Sequence, residues 1–202
     1  MFMPAFSRFP KEAAIIGRLL AGYGELEFLH AMCLARTMND EEAALRKYFG
    51  QRGEEKRLNF IKSEIKDAIE KAGLLDKYNQ IHENLDFCRK TRNNFAHCHR
   101  ADDLSAGIFY VTLEDSAKSE VGRFTFTAHQ YYHVDAPLLE KIEAYFWMTM
   151  QRLQWLESEI RLYSKNTVQW PNDLSPPKLH NPPEKHIPPW QDEQKNDYKV
   201  AE

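Results

Sequence analysis

Positions Ile15, Leu19, Gly22, Leu26, Leu29 and Cys33 recur at alternating steps of four and three, which marks one buried seam of a helix. A neighbouring stripe carries Ile16, Leu20, Tyr23, Glu27, His30 and Leu34, so polar groups lie beside that seam. Pro10 suits a first helical turn, Glu12 sits just inside it, and no further proline interrupts the run to about Met38. Asn39-Asp40 then caps a short helix over 41–49. Gly50-Gln51-Arg52-Gly53 breaks it before a charged helix over about 54–72, which Gly73 ends. A fourth helix over about 74–96 carries Leu74, Tyr78, Ile81, Leu85, Cys88, Arg92 and Phe95 along its seam. The period then shortens to two. Ile108 to Leu113 alternates, 114–120 is polar, and Arg123 to Ala128 alternates again, which predicts a β-hairpin packed on the helices through one face. From Asp135 and Pro137 a long helix keeps its seam through Leu139, Ile142, Phe146, Thr149, Leu153, Leu156, Ile160 and Tyr163. Such a helix needs a long partner, either the first helix, the fourth, or another subunit.

Beyond 165 the composition changes, with seven of the ten prolines in the last 38 residues. Pro176-Pro177, Pro182-Pro183 and Pro188-Pro189 repeat every six residues, two turns of polyproline II or about 19 Å. His180 and His186 hold equivalent places in that repeat; two histidines on a flexible arm make a weak metal site. Disorder is the default for such a tail, while Trp170, Leu179, Ile187 and Trp190 favour an extended arm laid along the protein. The expected organisation is a helical domain over 1–164, with the hairpin inserted at about 106–129, and an arm over 165–202.

With 202 residues and a formal net charge of -3, the chain has room for one good core and no global basic field. Any nucleic-acid role must rest on a local patch. One exists between Asp86 and Asp102, where Arg89, Lys90, Arg92, His97, His99 and Arg100 occur with no acid among them. The alternative for such a charge run is a solvated helix face. Cys33, Cys88 and Cys98 form neither a paired framework nor a C-x-x-C, which argues against disulfides and zinc knuckles and favours a reducing setting. The opening residues lack an apolar stretch of signal length, and no run approaches a membrane span. The expectation is a soluble cytoplasmic protein, without membrane contact, metal or cofactor.

The chemistry centres on Arg92-Asn93-x-x-x-His97, late in the fourth helix. A guanidinium grips phosphate in a bidentate fork, and an imidazole moves a proton near neutral pH; together they can cut a phosphodiester without metal. Arg92 occupies a seam position where the pattern asks for an apolar side chain. Burying its charge is costly unless it is paired or faces a wet cleft. On a regular helix Arg92 and His97 lie about 140° apart, so they flank one face. The competing explanation is that both cations cap the helix C-terminus, where the backbone dipole favours them.

The helix order and this motif resemble the HEPN superfamily, small helical proteins that include many prokaryotic ribonucleases of toxin and defence systems. The likeness covers about 10–164 as a pattern and Arg92 to His97 as a motif, with Asn93 in a place the family often fills with a polar residue. The resemblance implies a mainly α bundle of about five helices and a metal-independent endoribonuclease. It also implies a homodimer in which two motif copies complete one site on RNA. Arg92, His97 and Asn93 would be catalytic, and Arg89, Lys90 and Arg100 would bind RNA. The rival is a catalytically silent HEPN-type module that binds RNA or an acidic partner through the basic strip. A third reading is a toxin whose antitoxin or regulatory protein modifies or covers the site.

Glu27-Phe28-Leu29-His30 has the E-x-x-H spacing of diiron bundles, but no second copy exists in the chain. Glu27 and His30 are expected instead to satisfy each other or to pair with Arg92 and orient it as supporting residues. His82 and His99 read as surface residues. His129, Tyr131, Tyr132 and His133 offer either a stacking platform for unpaired bases or ordinary packing.

Overall fold

The computed structural model describes residues 4–103, 107–112, 131–163 and 177–186. Among them are helices α1 (Pro4–Arg8), α2 (Pro10–Met38), α3 (Glu41–Gly50), α4 (Glu54–Glu64), α5 (Lys66–Lys71), α6 (Leu75–Ala96) and α7 (Ala136–Tyr163). Strands β1 (Cys98–Asp103), β2 (Gly107–Thr112) and β3 (Tyr132–Val134) form one antiparallel sheet in that order. The protein is thus mainly helical with a small inserted sheet. No helix among the described residues is long and apolar enough to cross a membrane.

Local chemistry sets the helix boundaries. Asn39 takes a left-handed φ of 52°, which asparagine tolerates, and ends α2. The Asp40 carboxylate then accepts the Ala43 N–H at 2.9 Å and caps α3. Gly73, at φ 69°, closes α5 with a Schellman pair: its own N–H donates to Glu70 and the Leu74 N–H to Ile69, each at 3.0 Å. The single helix expected over 54–72 is instead two. Ile65 flattens to ψ -4° between α4 and α5 while its N–H still reaches Ile61, so Ile61, Ile65 and Ile69 all stay buried across the bend.

The chain divides into two compact units. The larger comprises Ala21–Arg92 and Ala144–Pro182. Here α2 is enclosed on every side from His30 to Ala35, because neighbours cover both its seam and the adjoining stripe. Cys33 and Arg36 of α2 meet Leu153 and Glu157 of α7 in the same order, so these helices run parallel. Helix α6 joins them. Asn84 donates to the Tyr145 hydroxyl at 2.6 Å, the Cys88 thiol lies 3.7 Å from the Thr149 hydroxyl, and Arg152, 3% exposed, donates to Gln80 at 2.8 Å. The long partners that α7 needed in this unit are therefore α2 and α6 of the same chain. Cys33, Cys88 and Cys98 are all unbridged, and burial raises the Cys88 thiol to about 12 and takes Cys33 higher still.

The other unit comprises Met1–Leu20, Asn93–Glu143 and Pro183–Glu202. Its sheet carries an inserted antiparallel hairpin, here of β1 with β2. β2 is the first of the two expected strands, but its neighbours are β1 and β3, with Asp103 opposite Gly107 and Phe109 opposite His133. The expected second strand, 123–128, lies outside the described residues, as does His129. No strand is expected over β1, because Cys98-His99-Arg100-Ala101-Asp102-Asp103 has no β-branched residue, Phe, Tyr or Trp. Its pairing to β2 supplies what its composition lacks. Edge-to-face aromatics bind the sheet: Phe95 on Tyr110 at 5.6 Å and Phe109 on Tyr131 at 5.4 Å. Tyr131 and His133 are buried at 8% and 9% exposure, which is packing and not an open platform.

Candidate functional site

The Arg92 to His97 segment closes α6. Arg92 and Asn93 lie in its last turns, and the His97 N–H still donates to the Asn93 carbonyl at 2.9 Å, one residue past the helix. Buried Phe95 anchors the end, and the Cys98 thiol rests 3.8 Å from its carbonyl.

On the Arg92 side, the seam arginine is half-buried, 31% exposed, and its guanidinium meets the Glu54 carboxylate at 2.8 Å. The charge in the seam is therefore paired, as burial requires. Gly53, at φ 91°, turns the chain so that Glu54 opens α4 and faces this guanidinium. Close by in the same unit, Arg57 of α4 donates to Glu27 at 2.7 Å and stacks over Tyr48, whose hydroxyl reaches Glu27 at 3.5 Å. Burial, then Glu27, Tyr48 and Glu54, drive the Tyr23 hydroxyl far above its ordinary range, while Arg89 opposes them. One polar cluster thus gathers Arg57, Arg89 and Arg92 around Glu27, Glu54 and Tyr23.

Glu27 and His30 do not pair with each other or with Arg92. Glu27 is held by Arg57, and His30, fully buried, shares a 3.1 Å hydrogen bond with the Tyr78 hydroxyl and stacks on that ring. Helical phase placed both beside the seam correctly; which cation reached Glu27 depended on α4, whose position the phase of α2 does not encode. Burial, followed by the charge of His82, pulls His30 down to about 3. His82 is not the surface residue expected. It is half-buried against Tyr78, and burial, then Lys62, lower it to about 4. Both imidazoles are neutral near pH 7.

The basic strip is less bare than its sequence suggests. Arg89 and Lys90 both bind Asp86, at 2.7 and 2.6 Å. Burial raises the Asp86 carboxyl, but the hydrogen bonds and charges of Lys90 and Arg89 outweigh it and leave the carboxyl low. Arg89 is only 14% exposed, whereas Lys90 is 65% exposed and keeps its ammonium in water. In the sheet unit, Arg100 stacks over Phe6 of α1 at 5.1 Å, which fixes its stem on β1. The His97 side chain is exposed and hydrogen-bonds no other described residue. The His99 side chain lies outside the described residues.

Glu54 and Arg57 are the members of this cluster that sequence reasoning missed. Glu54 reads as an ordinary acid of a first helical turn, and Arg57 as one of many cations on a charged helix. The comparisons with known proteins bring no match: no family model, no curated protein and no solved structure is similar to this chain.

Proposed function

We propose that this protein is a metal-independent endoribonuclease of the HEPN type, with Arg92, Asn93 and His97 as its catalytic residues. The observation that carries the reading is the exposed His97 imidazole at the end of a helix whose preceding turn presents Arg92 already gripping a carboxylate. A guanidinium N–H that meets a carboxylate oxygen can meet a phosphate oxygen in the same way.

The reaction follows from the residue chemistry. A ribose 2′-OH attacks the adjacent phosphorus and gives its proton to one His97 imidazole, while Arg92 balances the charge gathering on the phosphoryl oxygens. The bond to the 5′-oxygen breaks, and that oxygen takes a proton from an imidazolium. The products are a 2′,3′-cyclic phosphate and a 5′-OH. Asn93 holds an imidazole or a phosphate oxygen. One His97 cannot readily serve as base and acid in the same turnover, so two copies in a symmetric dimer supply the pair. Lys90, with Arg89 and Arg100, would track the sugar-phosphate backbone, and a bacterial toxin or phage-defence setting suits such an enzyme.

A second reading rests on the ion pairs themselves. Arg92 is bound to Glu54, and Arg89 and Lys90 share Asp86, an arrangement equally suited to a silent interaction module. Induced expression in bacteria separates the two. The nuclease arrests growth, and both His97→Ala and Arg92→Ala abolish the arrest at equal protein levels. A silent module leaves growth untouched, or arrests it irrespective of His97.

A further inference from the structure

We propose that His133, Asp135 and His186 form a binding site for a divalent late first-row transition ion of the zinc class, and that the ion clamps the proline-rich arm to the sheet. Strand geometry brings the three together. His133 and Asp135 are two residues apart on extended chain, so their side chains leave the same face. His186 pairs with His133 as an isolated antiparallel bridge, the His133 N–H donating to the His186 carbonyl at 3.0 Å. Residues opposite in such a bridge also share a face, with their Cβ atoms about 5 Å apart. Three ligand side chains therefore converge from two distant stretches of chain.

The atoms bear this out. One ligand atom from each residue lies within 4.8 Å of the others, the imidazole rings stack at 6.4 Å and 14°, and the His186 Nδ1 stands 3.9 Å from an Asp135 oxygen. A tetrahedral ion bound at about 2.0 to 2.1 Å sets its ligands about 3.3 Å apart. Asp135 and His186 have side chains 29% and 43% exposed, so small rotations on the solvent side close that difference. A Cβ at Gly107 would stand 2.6 Å from the Val134 carbonyl and 2.7 Å from the His133 Nε2. Only glycine at that place lets the imidazole lie where it does. Lys185, on the alternate face of the arm, sits 4.1 Å from the Tyr132 ring centroid and holds the neighbouring residue against the same strand.

The donor set decides the class of ion. Two imidazoles and one carboxylate suit zinc, cobalt or nickel, whereas magnesium and calcium prefer all-oxygen shells. With three protein ligands the ion retains open positions for water. The site is independent of the nuclease reading, whose chemistry uses no metal. It also revises the expectation from sequence, in which His186 was matched with His180; its partners here are His133 and Asp135.

The test uses the full chain, stripped with EDTA and desalted, then titrated with zinc by calorimetry and with cobalt by visible absorption. The expected result is one saturable site that gives cobalt ligand-field bands and is not competed by magnesium. His186→Ala and Asp135→Asn each weaken zinc binding at least tenfold. Both variants keep the fold: His186 is on the solvent side, and asparagine preserves the cap that Asp135 gives the Leu138 N–H. Zinc should also slow tryptic cleavage after Lys185 in the unaltered protein and not in His186→Ala. Absence of a saturable site, or equal zinc affinity in the parent and both variants, overturns the proposal.

Discussion

Arg92 shows how one side chain joins stability to chemistry. Its seam position forces a partner, and Glu54 supplies one at 2.8 Å, so the contact that makes the arginine tolerable also takes up one N–H of the guanidinium to which the proposed function assigns phosphate. A phosphate must share or displace that carboxylate. Glu54→Gln keeps a hydrogen-bond acceptor but removes the opposing charge, and RNA binding is expected to tighten about fivefold, roughly 1 kcal/mol. Fluorescence anisotropy with a short labelled RNA measures this; weaker or unchanged binding would mean that Glu54 does not compete with phosphate. His97 presents the opposite case. Its side chain is exposed and hydrogen-bonds no other described residue, so it can be replaced at a cost of about 0.5 kcal/mol or less in urea unfolding. A large loss of stability in His97→Ala would assign it a structural role. The seam position of Arg92 was visible in the helical period of α6, and so was its need for a partner. The partner's identity was not, because it depends on how α4 is delivered by the turn at Gly53.

At the scale of elements, the long helices were legible because their burial repeats every three or four residues for many turns, and Pro10, Asp40, Gly73 and Pro137 punctuate them with residues of known backbone preference. The cap at Asp40 is a direct instance. Asp40→Ala leaves the Ala43 N–H without its side-chain acceptor and should cost about 1 kcal/mol in chemical denaturation. No change would show that α3 is held by packing alone. Two elements were illegible for definite reasons. Helix α1 has five residues, too few to display a period, and β1 is a strand by partnership, with a polar sequence that its pairing to β2 overrides. The site of His133, Asp135 and His186 was hidden for a related reason: a bridge between β3 and the arm creates it, and no local pattern announces a bridge.

At the scale of the whole molecule, the buried histidines couple folding to pH. His30 and His82 sit below their ordinary value of 6.5, at about 3 and about 4, so in the folded protein they stay neutral where the unfolded chain takes up protons. Stability should therefore be full above about pH 6.5 and fall as pH drops through the window down to the folded values. His30 contributes up to about 1.4 kcal/mol per pH unit, and half-buried His82 adds less. Urea midpoints between pH 7 and 5 read the slope, and His30→Gln should flatten it; an unchanged slope would contradict the burial argument.

In the proposed reaction Arg92 and His97 cleave RNA through the ribose 2′-OH. The most direct measurement incubates the unaltered protein and His97→Ala, both in EDTA, with an RNA and with the same sequence made in DNA, and maps the chemistry of every new end. Expected are 2′,3′-cyclic phosphate and 5′-OH ends from the RNA with the unaltered protein, intact DNA, and no cutting by the variant. RNA left whole by the unaltered protein, or cut equally well without His97, would contradict it.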